Sequence, residues 1–148
     1  LTLIDYESTF LSIINETLSN EGTLFLSEKI FKPILVGHPF LVIGNTGTLK
    51  YLKELGYKTF DKWFDESYDK EKDFIKRVSM VVKEVEKFRF TGIDRLREIR
   101  EEMKEVLEHN TKVFYNQIQT KYKLNNNNYL EDPYGPVREA LQQIYYNE

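Results

Sequence analysis

Hydrophobic positions change their spacing along this chain, and each spacing predicts a different element. Thr9-Phe10-Leu11-Ser12-Ile13-Ile14 alternates and is rich in β-branched residues, which predicts a strand. The polar stretch from Asn15 to Thr23 predicts a loop hinged at Gly22. Ser27 stands where a helix N-cap is expected, Glu28 and Lys29 open a helix running towards Val36, and Gly37 suits its left-handed stop. Pro39 to Ile43 is a short, wholly apolar run, as in a parallel strand covered on both faces. Gly44-Asn45-Thr46-Gly47 predicts a tight turn into a second helix, with Leu49, Leu52 and Leu55 as its buried stripe and Gly56 as its end. Tyr57 to Phe60 fits a third, edge strand. Strands and helices alternating with short connections imply a parallel α/β sheet with right-handed crossovers.

Beyond Phe60 the pattern differs. Asp61 to Asp73 is acidic and aromatic, with Trp63, Phe64 and Tyr68, and predicts an ordered loop whose rings pack on the sheet. A helix from Asp73 to Phe88 places Phe74, Val78, Val81, Val82 and Val85 on one face. A single long helix is predicted from Ile93 to about Tyr122, with Leu96, Ile99, Met103, Val106, Asn110 and Val113 along one seam. That seam suits packing inside the chain or pairing with a helix of another chain. The remainder, Asn125 to Glu148, reads as a polar linker, a turn at Pro133 and Pro136, and a short helix from Val137.

Composition narrows the function classes. With 148 residues, 41% hydrophobic and 30% charged, the chain is expected to be globular with a substantial core. A net charge of -3 argues against a nucleic-acid binder that relies on a general positive field. The lack of cysteine excludes disulfides and thiolate metal sites and suits a reducing, cytoplasmic compartment. Phe40-Leu41-Val42-Ile43, the longest apolar run, has the length of a strand and not of a membrane span, and no leader pattern opens the chain. Leu1 in place of an initiator Met suggests a processed or internal start. The Asn125 to Asn128 run, with abundant Lys, Ile and Tyr, suggests an AT-rich coding sequence of bacterial, phage or viral source.

The chemistry concentrates at the first strand–loop–helix unit. The leading amides of a helix lack intrahelical partners, and the helix dipole adds positive charge there, so phosphate is welcome. Ser27 supplies a hydroxyl at that point, Lys29 and Lys32 supply full charges, and Glu28 and Glu16 suit the hydroxyls of a ribose or sugar. The loop from Glu16 to Thr23 lies beyond a strand's carboxyl end, where open α/β sheets take their ligands. A Ser-Glu-Lys helix start serves equally as plain capping. Elsewhere the signals are weaker. His38 and His109 lie far apart, and His38, before Pro39 at a strand entrance, reads as structural. No metal-ligand spacing of His with carboxylates is present. The acidic cluster from Asp61 to Asp73 reads as a solvated loop, with a divalent ion as the alternative. Gly44 to Lys50 lacks the glycine order of a phosphate loop and reads as a turn.

Glu16, the polar loop, Phe25-Leu26-Ser27-Glu28-Lys29-Ile30, Pro33, Gly37 and Pro39 to Gly44 together resemble the C-terminal half of GT-B glycosyltransferases, closest to the alpha-fucosyltransferase-like group. The same run, continued by Gly56 to Phe60, Asp65 to Asp69 and Glu108-His109-Asn110, is also similar to uncharacterised phage and viral proteins. The resemblance implies an α/β fold: a partial Rossmann-like, GT-B C-terminal parallel sheet in residues 1–72, followed by long helices in 73–124 and the tail 125–148. It implies a nucleotide-diphosphate sugar as donor substrate, with no other cofactor and no metal. Glu28 and Lys29 would contact the donor, Ser27 would take the family's Thr position, Glu16 would lie near the sugar or ribose, and Phe25 and Lys32 would line the site. Phe25 replaces the family's usual tyrosine, which removes one hydroxyl contact. In that family the acceptor site and catalytic base come from an N-terminal domain. A partner half is therefore implied, within a longer polypeptide or as another chain, and no catalytic residue is assigned. The alternative is a non-catalytic structural or interaction module, of viral or phage origin, that retains the fold and self-associates through the 93–122 helix.

Overall fold

Two parallel strands form the sheet among the described residues. In the computed structural model, which describes residues 3–16, 24 and 26–122, β1 (Ser12–Asn15) pairs with β2 (Phe40–Ile43), Ser12 opposite Phe40 and Asn15 opposite Ile43. Helix α2 (Glu28–Leu35) lies between them in sequence, as its capping signal predicts: the Ser27 side chain accepts from the Lys29 amide. Helix α3 (Thr48–Glu54) follows the turn at Gly44 to Gly47, where Gly47 holds a left-handed φ of 85°. The fold class is mixed α/β, with six α-helices among the described residues. The expected hinge at Gly22, the ring of Phe25 and the tail from Asn125 fall outside the described residues.

Three elements differ from the sequence expectation. Thr9 to Leu11 do not join β1, because a short helix, α1 (Leu3–Glu7), precedes it. The Ser8 and Thr9 hydroxyls both donate to the Asp5 carbonyl at 3.3 and 2.7 Å, which keeps this stretch turned at the end of α1. Tyr57 to Phe60 form no third strand. Side chains take the places of a neighbouring strand's backbone: Lys58 N–H donates to Asn110 Oδ1 at 2.8 Å, and Asn110 Nδ2 donates to the Lys58 carbonyl at 2.9 Å. Phe60 N–H donates to Glu66 Oε1 at 2.7 Å. The long helix expected from Ile93 is two helices, α5 (Ile93–Glu102) and α6 (Lys104–Tyr122), broken at the fully buried Met103.

Helix α4 (Phe74–Glu86) starts at Asp73, whose carboxylate accepts from the Lys76 amide at 2.9 Å. Its packing face overlaps the one expected from its valines, with Val78 and Val85 half-buried, but is rotated from it. Val81 is fully buried, but Phe74 and Val82 are 38% and 46% exposed, while Arg77 and Glu84 are buried. The guanidinium of Arg77 explains the rotation. It donates to the carbonyls of Gly44, Glu71 and Lys72 and to Thr46 Oγ1, so α4 must present this side to the end of β2. The acidic segment before α4 is ordered, as expected, and contains a 3-10 turn from Glu66 to Lys70, with Phe64 and Tyr68 in the core.

The core is built from β2, with Phe40, Leu41 and Val42, from Ile30 and Ile34 of α2, from Leu49 and Leu52 of α3, and from Phe60. Phe40 and Phe60 meet edge to face at 5.2 Å between centroids. The chain divides into two compact units between Thr111 and Lys112, the first holding both strands and α1 to α5. Within it the seam residues Ile99, Met103 and Asn110 are buried. Among the described residues no helix is long and apolar enough to cross a membrane.

The Asn110 clamp is directly testable. Asn110 is 1% exposed, and Asn110→Ala leaves the Lys58 N–H and carbonyl without these partners, at a cost of about 1–3 kcal/mol. The expected result is a lower urea midpoint at unchanged m-value. An unaltered midpoint would show that solvent replaces the clamp.

Candidate functional site

The parallel register puts the end of β1 beside the start of α2, and five of the six expected site residues meet there. Glu16 follows β1 directly, and its amide donates to the Ile43 carbonyl at 2.9 Å, so its backbone is held by the last rung of the sheet. Ser27 caps α2, Glu28 and Lys29 form its first turn, and Lys32 lies one turn on. Phe25 lies outside the described residues.

Glu16 and Ser27 are turned towards each other and not outward. Glu16 is 3% exposed and Ser27 is 8% exposed. Ser27 Oγ donates to Glu16 Oε2 at 2.5 Å, and Ser27 N–H reaches both carboxylate oxygens at 3.2 and 3.3 Å. Ser27 Oγ in turn accepts from the Lys29 amide at 3.3 Å. A buried carboxylate thus sits at the positive end of the α2 dipole, a favourable place for a negative charge. Its bonds to a hydroxyl and an amide offset the cost of burial.

The lysines remain accessible. Lys29 is exposed, and its ammonium donates to the Asn15 carbonyl at 3.2 Å. Lys32 and Glu28 form an i,i+4 pair at 3.8 Å, with side chains 40% and 36% exposed, a geometry that contributes little to stability. Lys29 and Lys32 line a depression of about 330 Å³ together with Tyr6, Ile13, Ile14 and Asn15. Tyr6, Ile13, Ile14 and Asn15 were not singled out from the sequence. Asn15 ends a strand and could have been flagged as its carboxyl terminus, but Tyr6 belongs to a helix too short to show periodicity.

A larger depression, about 710 Å³, lies at the start of α3 and contains none of the expected site residues. Its carboxylates are engaged with the chain. Asp69 accepts from the Leu49 and Lys50 amides at 2.8 and 3.1 Å, capping α3 from a distance in sequence. Glu66 accepts from Phe60 N–H and Thr59 Oγ1, both at 2.7 Å, and pairs with Lys53 at 3.4 Å. Burial raises the Glu66 carboxyl above its ordinary range, against these bonds. Among the described residues no group of three or more histidine or carboxylate side chains could hold a metal ion.

The two histidines sit apart, and neither belongs to the cluster at the start of α2. His109 Nε2 lies 2.9 Å from the Gly56 carbonyl. His38 is fully buried, its ring set edge to face with Tyr6 at 5.2 Å, and neither ring nitrogen has a well-formed hydrogen bond. Burial first, then the Arg100 guanidinium, hold its pKa down to about 4 against a weaker upward pull from the Tyr6 backbone.

Compared with protein-family models, with curated proteins and with solved structures, the chain returns no match.

Two measurements check this arrangement. Ser27→Ala removes the α2 side-chain cap and the hydroxyl partner of Glu16 together, leaving the backbone N–H, and it should lower unfolding free energy by at least about 1 kcal/mol in urea titration. His38 is held neutral in the fold, with its pKa depressed from 6.5 to about 4. The stability tied to that neutrality is complete above the unfolded value and is lost as pH falls through this window. His38→Leu should therefore flatten the fall in Tm between about pH 7 and pH 4.5 relative to the parent. Parallel Tm curves for the two proteins would remove His38 as a source of acid sensitivity.

Proposed function

We propose that this chain is the nucleotide-sugar-binding, C-terminal portion of a glycosyltransferase-like protein, with a Rossmann-like donor half built on β1, α2 and β2. One observation carries the reading: Glu28 and Lys29 open a helix just beyond the carboxyl end of a parallel strand, and Lys29 and Lys32 flank the same accessible depression. Parallel α/β sheets take phosphate-bearing ligands at that end. In this reading Lys29 holds the diphosphate and stabilises negative charge on the departing nucleotide, an electrostatic contribution suited to transfer chemistry. Glu28 accepts from ribose or sugar hydroxyls, and Lys32 adds charge one turn along. Glu16 acts through Ser27, positioning the helix start, and does not touch the sugar. The acceptor site and the catalytic base belong to the partner half that the family resemblance calls for.

A second reading is a non-catalytic interaction module, viral or phage in origin, that retains the fold. The observation that favours it is the Glu16 carboxylate, which already places an anion against Ser27 at the start of α2.

Calorimetry of the full chain with uridine, guanosine and cytidine nucleotide sugars separates the two. Binding of one donor is expected, weakened about ten- to a hundredfold by Lys29→Ala, which matches the roughly 1.5–3 kcal/mol of a charged hydrogen bond. Glu28→Ala should weaken it as well. Binding that ignores both substitutions, or no heat with any donor, rejects the donor reading and leaves the module.

A further inference from the structure

Among the described residues the sheet has two strands, and the outer edge of β1 pairs with no further strand. Ser12 N–H donates to the Pro39 carbonyl at 3.0 Å and Glu16 N–H to the Ile43 carbonyl at 2.9 Å. In a parallel ladder alternate residues face the neighbour, so Ser12, Ile14 and Glu16 turn towards β2 while Ile13 and Asn15 turn their backbone groups outward. Among the described residues no strand covers that side. Among the described residues the Asn15 carbonyl is taken, by the Lys29 ammonium.

β1 has no proline, its four residues Ser12-Ile13-Ile14-Asn15 carry no charge, and Ile13 is 49% exposed; its shortness and the Lys29 ammonium on the Asn15 carbonyl are the protections this edge has among the described residues. A groove runs beside this edge. Tyr6 lines it, as do Lys29 and Lys32 of α2. An unpaired strand next to a helix that offers cations is the setting in which an extended peptide adds as a further strand, with backbone bonds giving affinity and side-chain pockets giving selectivity.

We propose that the outer edge of β1 binds an extended, acidic polypeptide segment of a partner protein, which adds to the sheet beside Ile13 and Asn15 and sets its carboxylates against Lys29 and Lys32. Charge complementarity selects this occupant. A second copy of the chain would bring another β1, which has no carboxylate to meet the two lysines. The Lys32–Glu28 pair is a weak surface contact, so a carboxylate of the incoming segment can replace Glu28.

The proposal does not rest on the donor reading, although both use Lys29 and the depression that Ile13 lines. Glu28→Ala separates them, because it should weaken a nucleotide sugar and leave the glutamate peptide's hold on the strand edge and Lys32 intact. Ile13→Pro removes only an outward N–H, a change that edge strands tolerate, and blocks strand addition.

The test uses the full chain and two labelled decapeptides, one alternating valine with glutamate and one alternating valine with lysine. Fluorescence anisotropy reads affinity, and amide hydrogen exchange reads the site. The glutamate peptide is expected to slow exchange of the Ile13 and Asn15 amides at least tenfold and to bind at least tenfold tighter than the lysine peptide. Ile13→Pro should abolish this binding with unchanged circular dichroism, and Lys32→Glu should weaken it about tenfold. Equal binding of both peptides, no protection at Ile13 and Asn15, or undiminished binding by a folded Ile13→Pro protein overturns the proposal. So does a concentration-dependent dimer of the chain alone that Ile13→Pro disperses, since that assigns the edge to a second copy. The exchange measurement needs no substitution, so the test remains decisive if Ile13→Pro fails to fold.

Discussion

Every backbone amide and carbonyl that leaves water must find a partner, and a sheet of two strands supplies few of them. In this protein the deficit is met by buried polar side chains reaching across the chain, and Arg77 is the foremost. Its guanidinium ties the end of β2 at Gly44 and Thr46 to the segment entering α4 at Glu71 and Lys72. All four bonds go to neutral oxygens, so the interaction closes off the carboxyl end of the sheet and is not an ion pair. Asn110 does the same for Lys58, Glu66 for Phe60 and Asp69 for the start of α3.

The same requirement shapes the candidate site. Glu16 leaves the last rung of the sheet and meets Ser27 at the helix start, so the strand end and the helix start are locked by a short hydrogen bond between side chains. That lock takes two of the polar groups that would otherwise face a ligand. Among the described residues, Lys29, Lys32, Glu28 and the outer edge of β1 stay accessible at this corner. Anionic groups suit it, whether phosphate on a nucleotide or carboxylate on an extended segment.

Arg77 also has a consequence for the surface. Because α4 must turn its Arg77 and Glu84 side inward, part of its apolar face points out, with Ile75 at 71% exposure. The helix is placed by hydrogen bonding at the sheet end more than by burial of its valines.

Much of the architecture was legible in the residue pattern because its causes are local. The apolar run at Phe40 to Ile43, the Ser27 cap and the turn into α3 each depend on residues within a few positions of one another, and each forms as expected. The clustering of Ser27, Glu28, Lys29 and Lys32 was equally legible, since one helix start holds all four. What the sequence alone could not decide were matters of partnership between distant residues. That Tyr57 to Phe60 would pair with the Asn110 and Glu66 side chains and not with a strand depends on an approach across 52 positions in the case of Lys58 and Asn110. The face that α4 buries was set by Arg77 at the end of β2, against the local spacing of its valines. Whether Glu16 would point to a ligand or to Ser27 was likewise open until the strand end and helix start were brought together. Local spacing dictates which elements form, but only the packed chain determines which buried polar group satisfies which, and that choice decided the shape of the site.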